Sequence, residues 1–139
     1  MKIDSAKSLQ EIDVLVSEFF KVFTNANGQT ENVKSLKKLM IPEVIIINNT
    51  NSSSEVYSLG EFIISREKIL NDGSLKEFSE KETFSNTDVN GNIAYRYSHY
   101  KKLGVKNSKH FEVEGVKSFQ FIENNKGWLI ASVVWCDKI

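Results

Sequence analysis

The residues with the means to do chemistry gather in the second half of the chain. In the segment Ile93 to Leu103 (IAYRYSHYKKL), a strand would place Arg96, Ser98 and Tyr100 on one face and Tyr95, Tyr97 and His99 on the other. On the next strand Glu112, Glu114, Ser118 and Gln120 share a face, provided Gly115 does not shift the phase. On the last, Trp128, Ile130 and Ser132 share a face, and Trp135 returns to it if a bulge intervenes. A guanidinium, hydroxyls and an amide set among aromatic rings are what a small-molecule cleft needs: an apolar wall and a few polar groups that orient the ligand. The expected ligand-binding set is therefore Arg96, Ser98, Tyr100, Ser118, Gln120 and Trp135, facing a small hydrophobic or carbonyl-containing ligand. The competing expectation for Arg96 is structural, an ion pair across the sheet with Glu82 or Glu114.

Other reactive side chains lack the company that chemistry requires. His99 lies between Ser98 and Tyr100 and is followed by two lysines, which points it outward or toward a partner copy. His110 has no ligand-like neighbour, and no His, Cys or Asp spacing suits zinc or calcium, so no metal is expected. Cys136, the single cysteine, has no adjacent base to activate it and cannot form an intrachain disulfide. There is no phosphate-binding glycine loop, and no cofactor is expected. Lys+Arg and Asp+Glu are both 18, giving zero net charge, which argues against a nucleic-acid partner. No stretch approaches the roughly 20 apolar residues of a membrane span, and the first residues contain no apolar signal segment. The expectation is a cytoplasmic protein with neither a nucleic-acid nor a membrane partner.

These residues need a scaffold, and 139 residues suffice for one domain spanning 1–139. Leu9, Ile12, Val16, Phe19 and Phe23 recur at helical spacing and predict a helix from about Asp4 to Ala26, with Ser8 and Glu11 as a capping box. Thr30 to Met40 reads as a second helix, stopped by Pro42. Val44 to Ile47 reads as a strand buried on both sides, followed by a polar connector. Ser58 and Glu61 form a second capping box, opening a helix that ends at Asn71-Asp72-Gly73. Four strands follow: Phe78 to Asp88, Ile93 to Leu103, Phe111 to Ile122 and Lys126 to Trp135, with turn signals at Asn90-Gly91 and at Asn124-Asn125-Lys126-Gly127. Helices gathered before a run of antiparallel strands predict an α+β fold.

The residues Ala94-x-x-x-Ser98-x-Tyr100, then Gly115-x-x-Ser118-x-Gln120, then Gly127-Trp128-x-Ile130-x-Ser132-x-x-Trp135 resemble the nuclear transport factor 2-like superfamily, closest to its SnoaL-like and ketosteroid-isomerase-like small proteins. The resemblance extends over nearly the whole chain. It implies a cystatin-like cone: three N-terminal helices packed on a strongly curved, mixed, mainly antiparallel sheet, with a homodimer formed through that sheet. It also implies a first-strand carboxylate base opposed by a neutral donor in those members that are isomerases. This chain has Asn48 and Asn49 at the end of that strand and no tyrosine in the first helix. The function expected is therefore a dimeric, non-catalytic small-molecule-binding module. The alternative is a SnoaL-like isomerase, dehydratase or hydrolase acting on a carbonyl or epoxide substrate. No residue is assigned a catalytic role.

Overall fold

A stripe of apolar residues three and four apart builds α1 (Lys2–Lys21), whose buried face carries Ile12, Leu15, Val16, Phe19 and Phe20. The structure, a computed structural model, describes residues 2–138, with side chains from Ser5 onward. The helix begins before Ser8, so Ser8 sits within it, buried, and the first expected capping box is not formed. Leu9 lies at the margin of the stripe, 40% exposed. The helix ends at Lys21, and Val22 and Phe23 follow in tighter turns that still point both side chains into the core.

Asn25 then anchors three elements. Its side-chain amide donates to the carbonyls of Leu70 (3.0 Å) and Leu75 (2.7 Å), and its oxygen accepts from the Phe78 backbone N–H (2.8 Å). The expected second helix is shorter than its sequence suggests: one 3-10 helix, Val33–Lys38, capped by the Asn32 side chain.

Strand β1 (Met40–Asn48) starts earlier than expected and runs through Pro42, at a register irregularity between Met40 and Ile45. It is covered on one face only. Val44 and Ile46 are buried while Ile45 is 53% exposed, so its β-branched run is not the doubly buried strand the composition suggested. A short β2 (Glu55–Tyr57), absent from the sequence expectation, pairs back on it. Helix α2 (Leu59–Asn71) opens with the capping box the sequence predicts: Glu61 N–H donates to Ser58 Oγ (3.2 Å) and Ser58 N–H to Glu61 Oε1 (2.8 Å).

Strands β3 (Leu75–Asn90), β4 (Ile93–Lys106), β5 (Lys109–Asn124) and β6 (Gly127–Cys136) complete a six-stranded sheet in the order β2-β1-β6-β5-β4-β3. Only β1 and β6 pair in parallel. The fold is α+β with a mixed, mainly antiparallel sheet. One face lies under the helices, where Phe19 meets Phe119 edge-on at 5.2 Å and Phe23 meets Phe62 at 5.9 Å. The opposite face carries Phe84, Tyr95, Tyr97 and Val134 in the open.

Two irregularities decide which side chains face the helices. In β6, Ser132 pairs with Gln120 but Ile130 with Phe121, so Ala131 is an extra residue. Beyond it Val133 and Trp135 turn inward and Ser132 outward. In β3, Glu82 pairs with Tyr100 and Phe84 with His99, so Thr83 is extra and Phe84 faces out, 61% exposed. Gly115 makes no bulge: β4 and β5 pair without interruption through Tyr100 and Gly115. A side chain there would overlap the Tyr100 hydroxyl and the Cys136 carbonyl, so glycine gives Tyr100 its place beneath β5. Among the described residues no helix is long and apolar enough to cross a membrane.

Candidate functional site

Charged side chains on the helix-covered face fall into two groups: the first adjoins a groove of about 410 Å³ through Asp13 and Glu82, and the second walls the cavity beside α2. The first surrounds Arg96, which is 5% exposed. Its Nε and Nη2 donate to the two oxygens of Glu82 (3.0 and 2.6 Å), and Nη1 donates to Asp13 on α1 (2.6 Å) and to Thr87 (3.2 Å). Ser98 Oγ donates to the same Glu82 carboxylate at 2.6 Å. Burial works against the Arg96 charge, but Glu82 and Asp13 outweigh it and raise its pKa. The guanidinium is committed to carboxylates of the chain itself. It fastens α1 to β3 and β4, and the cross-sheet pair with Glu82 is one of the two the sequence offered.

The second group lies where α2, β1 and β2 approach the β3–β4 and β5–β6 ends. There a cavity of about 490 Å³ opens, with Phe23, Ile69, Leu70, Phe78, Phe111 and Val113 as its apolar wall. Its polar wall is Glu55, Glu80 and Asp137 against Arg66, Lys102 and Lys106. A recess of about 20 Å³, bordered by Phe62, Lys117 and Trp135, shares Phe23, Arg66, Glu80 and Lys102 with it. The volume is that of a site for a small organic molecule.

Arg66 is set into this cavity by α2. Its guanidinium lies 4.5 Å from the ring centre of Phe62, 5.5 Å from Tyr57 and 5.9 Å from Trp135. Its hydrogen bond within the chain is from Nη1 to the neighbouring Ser65 hydroxyl, 3.1 Å. Among the described residues no carboxylate pairs with it, unlike Arg96, Lys102 and Lys117.

Around the floor, Lys102 pairs with Asp137 (2.9 Å), and the Tyr100 hydroxyl donates to the same Asp137 oxygen at 2.5 Å, with the Cys136 carbonyl 3.2 Å away. Burial raises the Tyr100 pKa, and the negative neighbour Asp137 raises it further. Burial also works to raise Asp137, but Lys102 and the Tyr100 hydroxyl prevail and lower it. Lys117 is 3% exposed, with Nζ 2.8 Å from Glu80 Oε2 and 4.1 Å from the Tyr100 ring centre. The Lys117–Glu80 contact is an ion pair by distance, yet Glu80 Oε2 lacks a partner in hydrogen-bonding geometry, as does the buried Trp135 Nε1. Distance is the better guide for two opposite charges in a poorly solvated place.

Of the six residues expected from sequence, Trp135 borders the recess and Tyr100 stands behind Asp137 at its floor. Arg96 and Ser98 face the helices as expected but lie in the other charged group, away from the cavity. Ser118 and Gln120 point to the uncovered face, because the inward positions of β5 fall to Gly115, Lys117, Phe119 and Phe121. The alternation is as expected, with Glu112, Glu114, Ser118 and Gln120 on one face, but that polar face is the uncovered one, and the covered face carries Lys117 beside Phe119 and Phe121. No local spacing marks Glu80, Lys102, Arg66 and Asp137 as neighbours, because four elements distant in sequence bring them together. The one available signal was a lysine standing in phase with Phe119 and Phe121.

No family model matches the sequence, and no curated protein matches it. Solved structures do. A nuclear transport factor 2-like superfamily protein from Salmonella enterica serovar Typhimurium aligns over 97% of this chain and 94% of its own, at 17% identity and a TM-score of 0.78. A nuclear transport factor 2-like protein with a cystatin-like fold from Novosphingobium aromaticivorans covers 97% and 84%, at 10% identity and 0.74. A nuclear transport factor 2-like protein of unknown function from Silicibacter pomeroyi covers 94% and 96%, at 13% identity and 0.65. By these likenesses, over nearly its whole length, the chain has the nuclear transport factor 2-like, cystatin-like fold.

Proposed function

We propose that this protein binds a small organic acid, a molecule with an apolar body and a carboxylate or comparable anionic group, in the cavity between α2 and the sheet. The observation that carries this is Arg66: a guanidinium in a cavity, stacked on aromatic rings and, among the described residues, without a carboxylate of its own. A planar fork of donors held by rings is prepared for a carboxylate, and such charge-assisted pairs are the strong ones. The apolar wall from Phe23 to Val113 would take the body of the ligand. Asn48 borders the cavity where the resemblance would put a carboxylate base, and its amide donates to Glu55 at 3.1 Å. That favours a binding protein over an isomerase of the first-strand-carboxylate kind.

Calorimetry with straight-chain carboxylates of four to eight carbons tests it. The acids should bind, and their primary amides should bind at least tenfold more weakly. Arg66→Leu should cost a similar factor, about 1.5–3 kcal/mol for a hydrogen bond to a charged group, without lowering the melting temperature. Equal affinity for acid and amide would remove Arg66 from the site.

The working unit we propose is a homodimer formed through the uncovered sheet face. A row runs across five strands there: Tyr97, Ser118, Val134, Ile47 and Val56 are paired in register. Tyr95, Gln120, Ser132 and Ile45 form the row beside it. Contiguous exposed rings and β-branched residues of this kind are what a partner surface covers. Zero net charge adds no long-range repulsion between copies. Ser118 and Gln120 then belong to the contact rather than to the ligand.

A further inference from the structure

Lys117 is a buried amine that the binding of an acid at Arg66 does not use. Its Nζ lies against the rings of Tyr100 and Trp135, 4.1 and 4.6 Å from their centres, with the Glu80 carboxylate 2.8 Å away. It borders the deep recess, and the recess shares Arg66, Glu80 and Lys102 with the main cavity. Arg66 and Lys117 both stand against the Trp135 indole, 5.9 and 4.6 Å from its centre, which bounds the separation of guanidinium carbon and Nζ at the sum of the two. Arg66 and Lys102 line both recess and cavity, and they are long side chains with several rotatable bonds. We infer that Lys117 forms an imine with the carbonyl group of a short oxo acid whose carboxylate is held by Arg66.

The chemistry balances without an oxidant or reductant. Glu80 takes one proton from the ammonium of Lys117. The neutral Nζ forms a C–N bond to the carbonyl carbon, and the carbonyl π electrons move to oxygen, which gains a proton as nitrogen loses one. The carbinolamine then loses its C–O bond, the hydroxyl leaving as water with the proton held by Glu80, and the nitrogen lone pair closes the C=N bond. The sum is one amine and one carbonyl giving one imine and one water. The environment suits this step: burial lowers the Lys117 pKa to about 8 against the opposing pull of Glu80. About a tenth of the amine is then neutral at pH 7, where an ordinary lysine has well under a thousandth. A lysine desolvated among apolar groups and primed by a neighbouring carboxylate is an imine-forming nucleophile.

The inference rests on the acid-binding proposal for the role of Arg66 but not for the amine. The experiment separates them. The protein is incubated at pH 7.5 with 4-oxopentanoate and sodium cyanoborohydride, which reduces an imine to a stable secondary amine, and the adduct is located by intact mass and peptide mapping. One adduct is expected, on Lys117, at least tenfold faster than on exposed lysines such as Lys34 or Lys37. Lys117→Arg, which keeps the charge, should abolish it while retaining pentanoate binding. Should that variant fail to fold, the map of the wild-type protein decides alone. Adducts confined to exposed lysines overturn the inference. If pentanoate binds while Lys117 stays unmodified, the imine falls and the acid site stands. If 2-pentanone modifies Lys117 as fast as 4-oxopentanoate, and Arg66→Leu changes nothing, the amine stands and the acid site falls.

Discussion

Two arginines illustrate how much a residue's role depends on its neighbours. Arg96 has carboxylates on two sides and is spent on the chain; Arg66 has rings and one hydroxyl, and the acid-binding proposal rests on that difference. Removing Arg96 strands Glu82 in a largely buried place, and breaking such a pair costs about 3–5 kcal/mol. Because Asp13 is half in solvent, Arg96→Met should fall near the low end, about 3 kcal/mol by urea denaturation. The double variant with Glu82→Leu should be less unstable than the single one, and carboxylate affinity should be unchanged in both. Lys117 yields a prediction about pH. Folding lowers its pKa from 10.5 to about 8, so between those values the unfolded chain holds a proton that the folded one does not. Unfolding free energy from this group therefore rises with pH over that window. Denaturation between pH 7.5 and 9.5, below the range where unfolded tyrosines ionise and reverse the trend, should show the rise. Lys117→Met should flatten it, and an unchanged slope would refute the assignment.

At the scale of elements, the cavity exists because the end of α1, the end of α2 and the start of β3 are held together by one amide. Asn25 makes three hydrogen bonds across more than 40 residues of sequence. Each is worth about 1 kcal/mol net, and the carbonyls and N–H left without partners cost more. Asn25→Ala should therefore destabilise the protein by at least about 2 kcal/mol, and it should loosen the cavity, seen as weaker carboxylate binding in the remaining folded protein. A loss below 0.5 kcal/mol would mean that packing alone positions these elements. The second capping box could be seen in the sequence because it needs only Ser58 and Glu61, three residues apart. Asn25 could not, since nothing local distinguishes it from the turn-forming asparagines around it. The extra residue Ala131 is the bulge on which the inward return of Trp135 depended in the sequence, whereas nothing there marked Thr83. Each reverses the alternation beyond it, and that is why Trp135 faces the recess and Phe84 the open side.

For the whole molecule, the two sides of the sheet have different jobs. Helices and cavity occupy one, and the other presents Phe84, Ile93, Tyr95 and Tyr97, each more than half exposed. With the homodimer proposed above, sedimentation at tens of micromolar should give twice the mass of the chain, the regime of a standard interface of moderate affinity. Tyr97→Glu, at the β4 end of the row, should shift the species to monomer without altering the melting profile of the monomeric fold. A wild-type monomer at that concentration would overturn the pairing.

What the sequence determined by itself was the α+β class and the order of elements apart from the short β2, because these follow from local periodicity, caps and turns that lie within a few residues of one another. It also determined that Arg96, Ser98 and Tyr100 share the covered face of β4, since alternation within one unbroken strand is a local property. Which charged side chains meet was decided only by the tertiary structure. Glu80, Lys102, Lys117 and Asp137 come from four strands or their ends, and Arg66 from a helix. Whether a cation is answered by a carboxylate of the chain or left for a ligand depends on distances of 3 to 6 Å between those elements, and no spacing along the chain encodes them.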